Sequence, residues 1–168
     1  MNHLYKTIIA IGSNLGDREA NIRFAIDKIS AEIGSLIAAS TFYSTAPIGD
    51  NAKNMFINGA ILIETELMPE AQMLTLLSIE ESLGRERKVK WGDRTIDLDI
   101  VSIEKDGTPL EIKSNILNCP HPQTEYRDFV VVPVSEVYPE GLFLPKQMTF
   151  LELKKSKNFK TLCKAFEL

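Results

Sequence analysis

The sequence predicts one α+β domain in which an antiparallel sheet carries two helices on a single face. Three observations lead there. Segments with strand and helix periods alternate in the order strand–helix–strand–strand–helix–strand. The 168 residues are 44% hydrophobic and 25% charged, ordinary proportions for a globular chain long enough to bury one core. The longest apolar runs, Ile8–Ile11 and Phe129–Val134, fall far short of the roughly 20 residues a membrane span needs.

Each element has its own local cause. Thr7-Ile8-Ile9-Ala10-Ile11 reads as a buried strand stopped by Gly12. From Asp17 the period changes: Ile22, Ala25, Ile26, Ile29 and Ile33 mark one helical face, and Gly34 ends the run. Leu36–Thr45 and Phe56–Glu66 are rich in β-branched and aromatic residues, with a Pro/Gly/Asp/Asn loop between them. Pro69 opens a second helix that points Met73, Leu76, Leu77 and Leu83 inward before Gly84. Thr95–Val101 then alternates like a strand. Two split βαβ units in this order make a ferredoxin-like βαββαβ sheet with both helices on one face. In the remainder, Asp106-Gly107 signals a turn and Phe129–Val134 fits either a strand or a buried helix. Residues 104–168 are expected to be C-terminal additions to a single domain spanning 1–168.

Charge and cysteine usage narrow the class. Nineteen Lys and Arg against 23 Asp and Glu give a net charge of −4, unfavourable for non-specific nucleic-acid binding. Asp17, Arg18 and Glu19 follow Ile11 too soon for an export leader. Cys119 and Cys163 make neither a metal-ligand spacing nor a disulfide framework, which fits a cytoplasmic protein. Nothing demands an oligomer, so a monomer without membrane or nucleic-acid partners is expected.

The chemistry concentrates in a few clusters. Asp97 and Asp99, two apart on a strand, project to one face roughly 7 Å apart, while Ile96, Leu98 and Ile100 point into the core. A solvated strand face is the ordinary account. Two neighbouring carboxylates also repel, which a divalent cation relieves, and Mg²⁺ takes one or two carboxylates plus phosphate oxygens and water. Immediately before them, Gly84–Arg94 holds five basic residues against two acidic. Arginine forks clamp phosphate, so a basic loop beside an acid pair points to polyphosphate handling. Gly12-Ser13-Asn14-Leu15-Gly16-Asp17 has neither P-loop nor GxGxxG spacing and reads first as a turn with Asp17 as the helix cap. His121, with Arg127 and Phe129 close behind, is open between phosphate contact and packing. Glu80 borders an apolar helical face, and Phe56 with Asn58 reads slightly better as a core aromatic beside an edge amide.

Together these motifs resemble one family. Gly12–Asp17, Thr45-x-Pro47, Phe56-x-Asn58, Glu80-x-x-x-Gly84-Arg85-x-Arg87, Arg94-Thr95-Ile96-Asp97-Leu98-Asp99-Ile100 and His121-Pro122-x-x-x-x-Arg127-x-Phe129-Val130 occur in one order. The stretch from about Ile8 to Pro139 looks like the 6-hydroxymethyl-7,8-dihydropterin pyrophosphokinases of folate biosynthesis. The resemblance implies pyrophosphate transfer from ATP to the pterin hydroxymethyl group, leaving AMP. It implies that Asp97 and Asp99 ligate two Mg²⁺ ions, and that Arg85 and Arg94 neutralise phosphate charge. Glu80, Arg87, Ile100, His121 and Arg127 would seat ATP. Phe56 and Phe129 would sandwich the pterin, with Asn58, Thr45 and Pro47 at its polar edge. Trp91 would ride on the basic loop and close over both substrates, with Lys88 and Lys90 helping nucleotide capture.

Two positions depart from the family pattern. Ala46 stands where a second proline is frequent, and Asp93 replaces the proline usual after Trp-Gly. Both are expected to loosen their loops, because proline restricts mobile chain. Two rival readings share the scaffold. An RNA-binding module would need exposed aromatics and a basic face where this strand carries acids. A phosphate-ester hydrolase would release ADP or phosphate rather than AMP.

Overall fold

The computed structural model describes residues 3–48, 51–84 and 92–168. The strands are β1 (Tyr5–Ser13), β2 (Ser35–Ala39), β3 (Phe42–Thr45), β4 (Phe56–Thr65), β5 (Asp97–Lys105), β6 (Thr108–Pro109), β7 (Ile112–Lys113), β8 (Asn118–Cys119), β9 (Leu142–Phe143), β10 (Met148–Thr149) and β11 (Cys163–Phe166). The helices are α1 (Arg18–Glu32), α2 (Pro69–Ser82), α3 (Asp128–Val137) and α4 (Phe150–Ser156). The main sheet is antiparallel, in the order β11-β3-β4-β1-β5-β6, with β2 also paired to β4.

Helix α1 starts where the sequence places its cap, with Asp17 accepting the Ala20 N–H at 3.0 Å. Its buried residues, Ile22, Ala25, Ile26 and Ile29, are the apolar period itself. With Leu76 and Ile79 of α2 they cover Ile9, Ile11, Ile61, Ile63, Leu98, Ile100 and Ile103 of the sheet. Each such side chain contributes roughly 1.5–3 kcal/mol on leaving water. Gly34 lets the end of α1 approach β4, since a Cβ there would lie 2.3 Å from the Glu64 carbonyl oxygen.

The structure departs from the expected pattern in two places and decides a third that was open. Leu36–Thr45 forms two strands: β2 pairs with the Ile61–Glu64 end of β4, and β3 with its Phe56–Asn58 end. The break falls at Ser40, whose hydroxyl accepts the Ala60 N–H at 2.9 Å while its own N–H donates to the Ala60 carbonyl at 2.9 Å. Strand β5 extends to Lys105 through an irregularity opposite Ile8 and Ile9, which leaves Val101 as the extra residue. That bulge lets Ile100 and Ile103, three apart, share one face. Finally, Phe129–Val134 is helical. Val130, Val131 and Val134 of α3, with Phe150 and Leu153 of α4, cover Ile8, Ala60, Leu62 and Val101 on the other side of the sheet. The C-terminal additions are therefore a second covering layer, and the sheet is buried on both faces.

Candidate active site

Strand β5 presents Asp97 and Asp99 on the α3 side of the sheet, while Ile96, Leu98 and Ile100 are buried at 2% exposure or less on the other. Their neighbours on β1 are Gly12 opposite Asp97 and Ala10 opposite Asp99. These are the two smallest side chains of the row; Gly12 is buried and Ala10 half-buried. Ile100 was expected to seat ATP, but its side chain belongs to the core beneath α1 and α2 and offers a ligand at most its backbone.

The outer edge of β5 is held by groups to which the resemblance gives a part in seating ATP. Glu80, 2% exposed on α2, accepts the Leu98 N–H at 2.8 Å between the two acids. The His121 N–H donates to the Val101 carbonyl at 2.9 Å. His121 Nδ1 accepts the Gln123 N–H at 3.2 Å. Burial pushes the imidazole pKa down; the positive charge of Arg127 adds to this, and the negative charge of Asp97 opposes it. His121 thus stands within electrostatic reach of both Asp97 and Arg127.

Arg94 is fixed from two directions. Its guanidinium Nη1 bonds Asp97 Oδ2 at 3.1 Å and its Cζ lies 5.7 Å from the Phe56 ring centroid. Its backbone is gripped by Asn14: the Arg94 N–H donates to Asn14 Oδ1 at 2.7 Å, and the Asn14 N–H donates to the Arg94 carbonyl at 3.1 Å. Ser13 Oγ donates to the Thr95 carbonyl at 2.5 Å. The glycine-flanked turn is structural, as the sequence favoured, but what it braces is the segment carrying Arg94.

Cross-strand register aligns Tyr43, Asn58, Gly12 and Asp97 across β3, β4, β1 and β5. Two strand spacings put Asn58 about 10 Å from Asp97. Asn58 Nδ2 donates to Thr45 Oγ1 at 2.7 Å. A Cβ on Gly12 would lie 2.4 Å from Asn58 Oδ1, so the glycine makes room for that amide. Phe56 shares this face with Asn58. Phe129 opens α3 against the same face, and Arg127 Cζ lies 5.9 Å from its ring centroid. Pro47 follows the end of β3, half-buried. The structure thus gathers Thr45, Phe56, Asn58, Arg94, Asp97, Asp99, His121, Arg127 and Phe129 at one end of one sheet face. Arg85, Arg87, Lys88, Lys90 and Trp91 lie outside the described residues.

Beside Asp99 opens a cavity of about 400 Å³, lined by Met73, Leu74, Leu77, Glu80, Leu98, Asp99, Asn115 and Ile116. Leu77 was expected in the core; it lines this cavity instead, and Ile79 takes the core position. The legible signal was α2 carrying more apolar residues than one buried stripe requires.

Most of the loop that Asp93 was expected to loosen, residues 85–91, lies outside the described residues. At its described end the Asp93 carboxylate accepts from Asn14 Nδ2 at 2.7 Å, from the Lys53 N–H at 3.0 Å, and from Asn54 Nδ2 at 2.9 Å. Desolvation opposes ionisation, but the Lys53 and Asn54 backbone donors and the Asn14 amide outweigh it and hold the carboxyl below the ordinary aspartate range.

Comparisons with known proteins agree with this geometry. Residues 8–139 match the family described as 7,8-dihydro-6-hydroxymethylpterin-pyrophosphokinase. Several relatives are named 2-amino-4-hydroxy-6-hydroxymethyldihydropteridine pyrophosphokinase. That of Methylorubrum extorquens is 36% identical over 136 residues, covering 80% of this chain and 84% of the relative. That of Aquifex aeolicus is 33% identical over 155 residues, covering 92% and 94%. Among solved structures, a Plasmodium falciparum HPPK-DHPS chain matches with a TM-score of 0.72 at 13% identity, covering 92% of this chain. The chain spans only 41% of that solved one, so the likeness speaks for the fold alone. The family match covers most of the chain and takes in every described residue of the site, and the chain belongs to the 7,8-dihydro-6-hydroxymethylpterin-pyrophosphokinase family.

Proposed function

We propose that this enzyme transfers the pyrophosphoryl group of ATP to the hydroxymethyl oxygen of 6-hydroxymethyl-7,8-dihydropterin in folate biosynthesis, releasing AMP. The observation that carries the reading is the half-buried Asp97/Asp99 pair on one face of β5. Arg94 stands on one side of it and the Phe56–Asn58 face on the other.

In this reading the hydroxymethyl oxygen attacks the β-phosphorus. The bond from that phosphorus to the oxygen shared with the α-phosphate breaks, and the hydroxyl proton is shed. Such transfer needs in-line placement and dispersal of charge more than a strong base. Asp97 and Asp99 are suited to hold two Mg²⁺ ions. Both carboxylates lie on one face of β5, and Mg²⁺ takes one or two carboxylates with substrate oxygens and water to complete its shell. Bound Mg²⁺ supplies Lewis-acid charge stabilisation at the phosphates. Arg94, and Arg85 from the basic loop, meet the phosphate charge, while Arg87, His121 and Arg127 anchor the nucleotide. Glu80 acts by fastening β5, and the cavity beside Asp99 suits the flat apolar part of the nucleotide. Phe56 and Phe129 stack the pterin, Asn58 with Thr45 and Pro47 reads its polar edge, and Trp91 covers the site.

We read the scaffold as ferredoxin-like and the chain as one domain over 1–168, supported by the central strand order β3-β4-β1-β5 with α1 and α2 together on one face. Among the described residues no helix is long and apolar enough to cross a membrane. Both cysteines are free thiols, which suits a cytoplasmic monomer. The deciding experiment is product analysis from ATP and 6-hydroxymethyl-7,8-dihydropterin with Mg²⁺. AMP formed in step with the pterin diphosphate is expected; ADP or free phosphate would point to ordinary kinase or hydrolase chemistry.

A further inference from the structure

Residues 92–95 form no regular secondary structure, yet Arg94 is held there against Asp97 and Phe56. Irregular chain this close to a reaction centre needs an anchor. The bonds converge on Asp93. Its Oδ1 accepts from Asn14 Nδ2 (2.7 Å), the Lys53 N–H (3.0 Å) and the Asn54 N–H (3.3 Å), and its Oδ2 accepts from Asn54 Nδ2 (2.9 Å). The same Asn14, 2% exposed, bonds both the N–H and the carbonyl of Arg94. One carboxylate therefore ties together the β1–α1 turn, the loop before β4 and the chain leading into β5.

We propose that Asp93 is a positioning residue for Arg94, locking these three segments so that the guanidinium is presented in one place. This rests on the pyrophosphoryl-transfer reading of the site. Only a carboxylate meets the demand: four N–H donors need an acceptor with two oxygens and no hydrogen of its own. An amide would turn a donor toward Asn54 Nδ2, and a proline would stiffen the backbone without accepting anything. All four bonds go to neutral N–H groups, so the negative charge of Asp93 is already satisfied beside Arg94.

Asp93→Ala should lower kcat about 10–100-fold, the scale of a misplaced reacting group, with KM for ATP within about threefold. In an Arg94→Ala background the same change should cost less than about twofold, because the residue it positions is gone. In the unliganded protein, amide hydrogen exchange at Arg94 should quicken by at least about tenfold. Asp93→Asn, which keeps one accepting oxygen, should fall between wild type and alanine in both readouts, and it carries the cycle if the alanine variant does not fold. Equal losses with and without Arg94, or unchanged exchange at Arg94, would overturn the proposal. If the wild-type protein makes no AMP from ATP and the pterin, the reaction assignment falls, while exchange at Arg94 still decides whether Asp93 positions it.

Discussion

Strand β5 carries carboxylates on the same sheet face near both of its ends, Asp97 and Asp99 at the start and Glu104 close to the finish. At the finish, Glu104 is 8% exposed, sits opposite Lys6 on β1, and accepts the Tyr138 hydroxyl at 2.7 Å. Lys6 Nζ lies 5.5 Å from the Tyr138 ring. Burial, followed by the bond to Glu104 and its charge, drives the Tyr138 hydroxyl pKa upward, so it stays a donor. At the start, the β1 residues opposite the acids are Gly12 and Ala10, neither of which carries a polar side chain. A cavity of about 490 Å³ opens beside Glu104, larger than the 400 Å³ one beside Asp99. Cavity size therefore does not distinguish the two ends. The buried acid at the finish is matched by a hydroxyl donor and a facing lysine, whereas the pair at the start faces small residues and meets Arg94, the arrangement on which the proposed reaction rests.

The sharpest way to break this comparison is to remove the acids at each end in turn. Asp97→Ala or Asp99→Ala should cut pyrophosphoryl transfer at least about 10³-fold, since several kcal/mol of charge stabilisation is lost. Thermal melting should shift little. Turnover near wild type at saturating Mg²⁺ would show that the Asp97/Asp99 end is not the reaction centre.

Arg94→Ala should lower kcat about 10²-fold with a smaller change in ATP affinity, measured in single turnovers. A change confined to ATP affinity would make Arg94 a ground-state grip. Phe129→Ala or Phe56→Ala should weaken pterin binding by roughly 1–3 kcal/mol, as for loss of one stacking partner, and leave ATP binding nearly intact. Calorimetric titration of each ligand separates this from a folding defect, which would weaken both.

At the Glu104 end the effect should appear in stability and not in rate. Tyr138→Phe removes the donor to a buried carboxylate and should cost about 1–3 kcal/mol in denaturant unfolding, with kcat unchanged. A loss of activity there would erase the distinction between the two ends. The smallest effect expected is on pH dependence. Because hydrogen bonds depress the Asp93 pKa in the folded protein, its stabilisation is present above the ordinary aspartate value of about 4. It is lost as pH falls through the lowered folded value. Melting of wild type and Asp93→Asn between pH 6 and 2.5 should therefore converge at the acid end.

The same contrast explains which parts of the molecule could be read from sequence. The α1 stripe, its Asp17 cap and the alternation from Ile96 to Ile100 rest on neighbours a few residues apart, and the structure keeps them. The split at Ser40, the bulge at Val101 and the cavity position of Leu77 each depend on a distant partner. The bonds of Asp93 escape a reading of the sequence for the same reason. Its partners, Asn14, Lys53 and Asn54, lie 39 to 79 residues away, and loop propensity carries no information about them. Asn58 and Phe129 were candidate site residues only through the family motif; the row shared by Asn58 and Asp97 comes from register, and the place of Phe129 against the sheet comes from α3.

By itself the sequence determined the order of elements, the two carboxylates on one side of a strand, the basic stretch ahead of them and the family. Those properties follow from side-chain period, cap and turn chemistry and motif spacing, all of which act along the chain. The tertiary structure decided that Asn58, Gly12 and Asp97 stand in one row, that α3 covers the sheet only as far as Phe129, and that Asp93 braces Arg94. Register and layer coverage are fixed when distant apolar surfaces leave water together and when buried polar groups find their donors. That balance belongs to the folded chain as a whole.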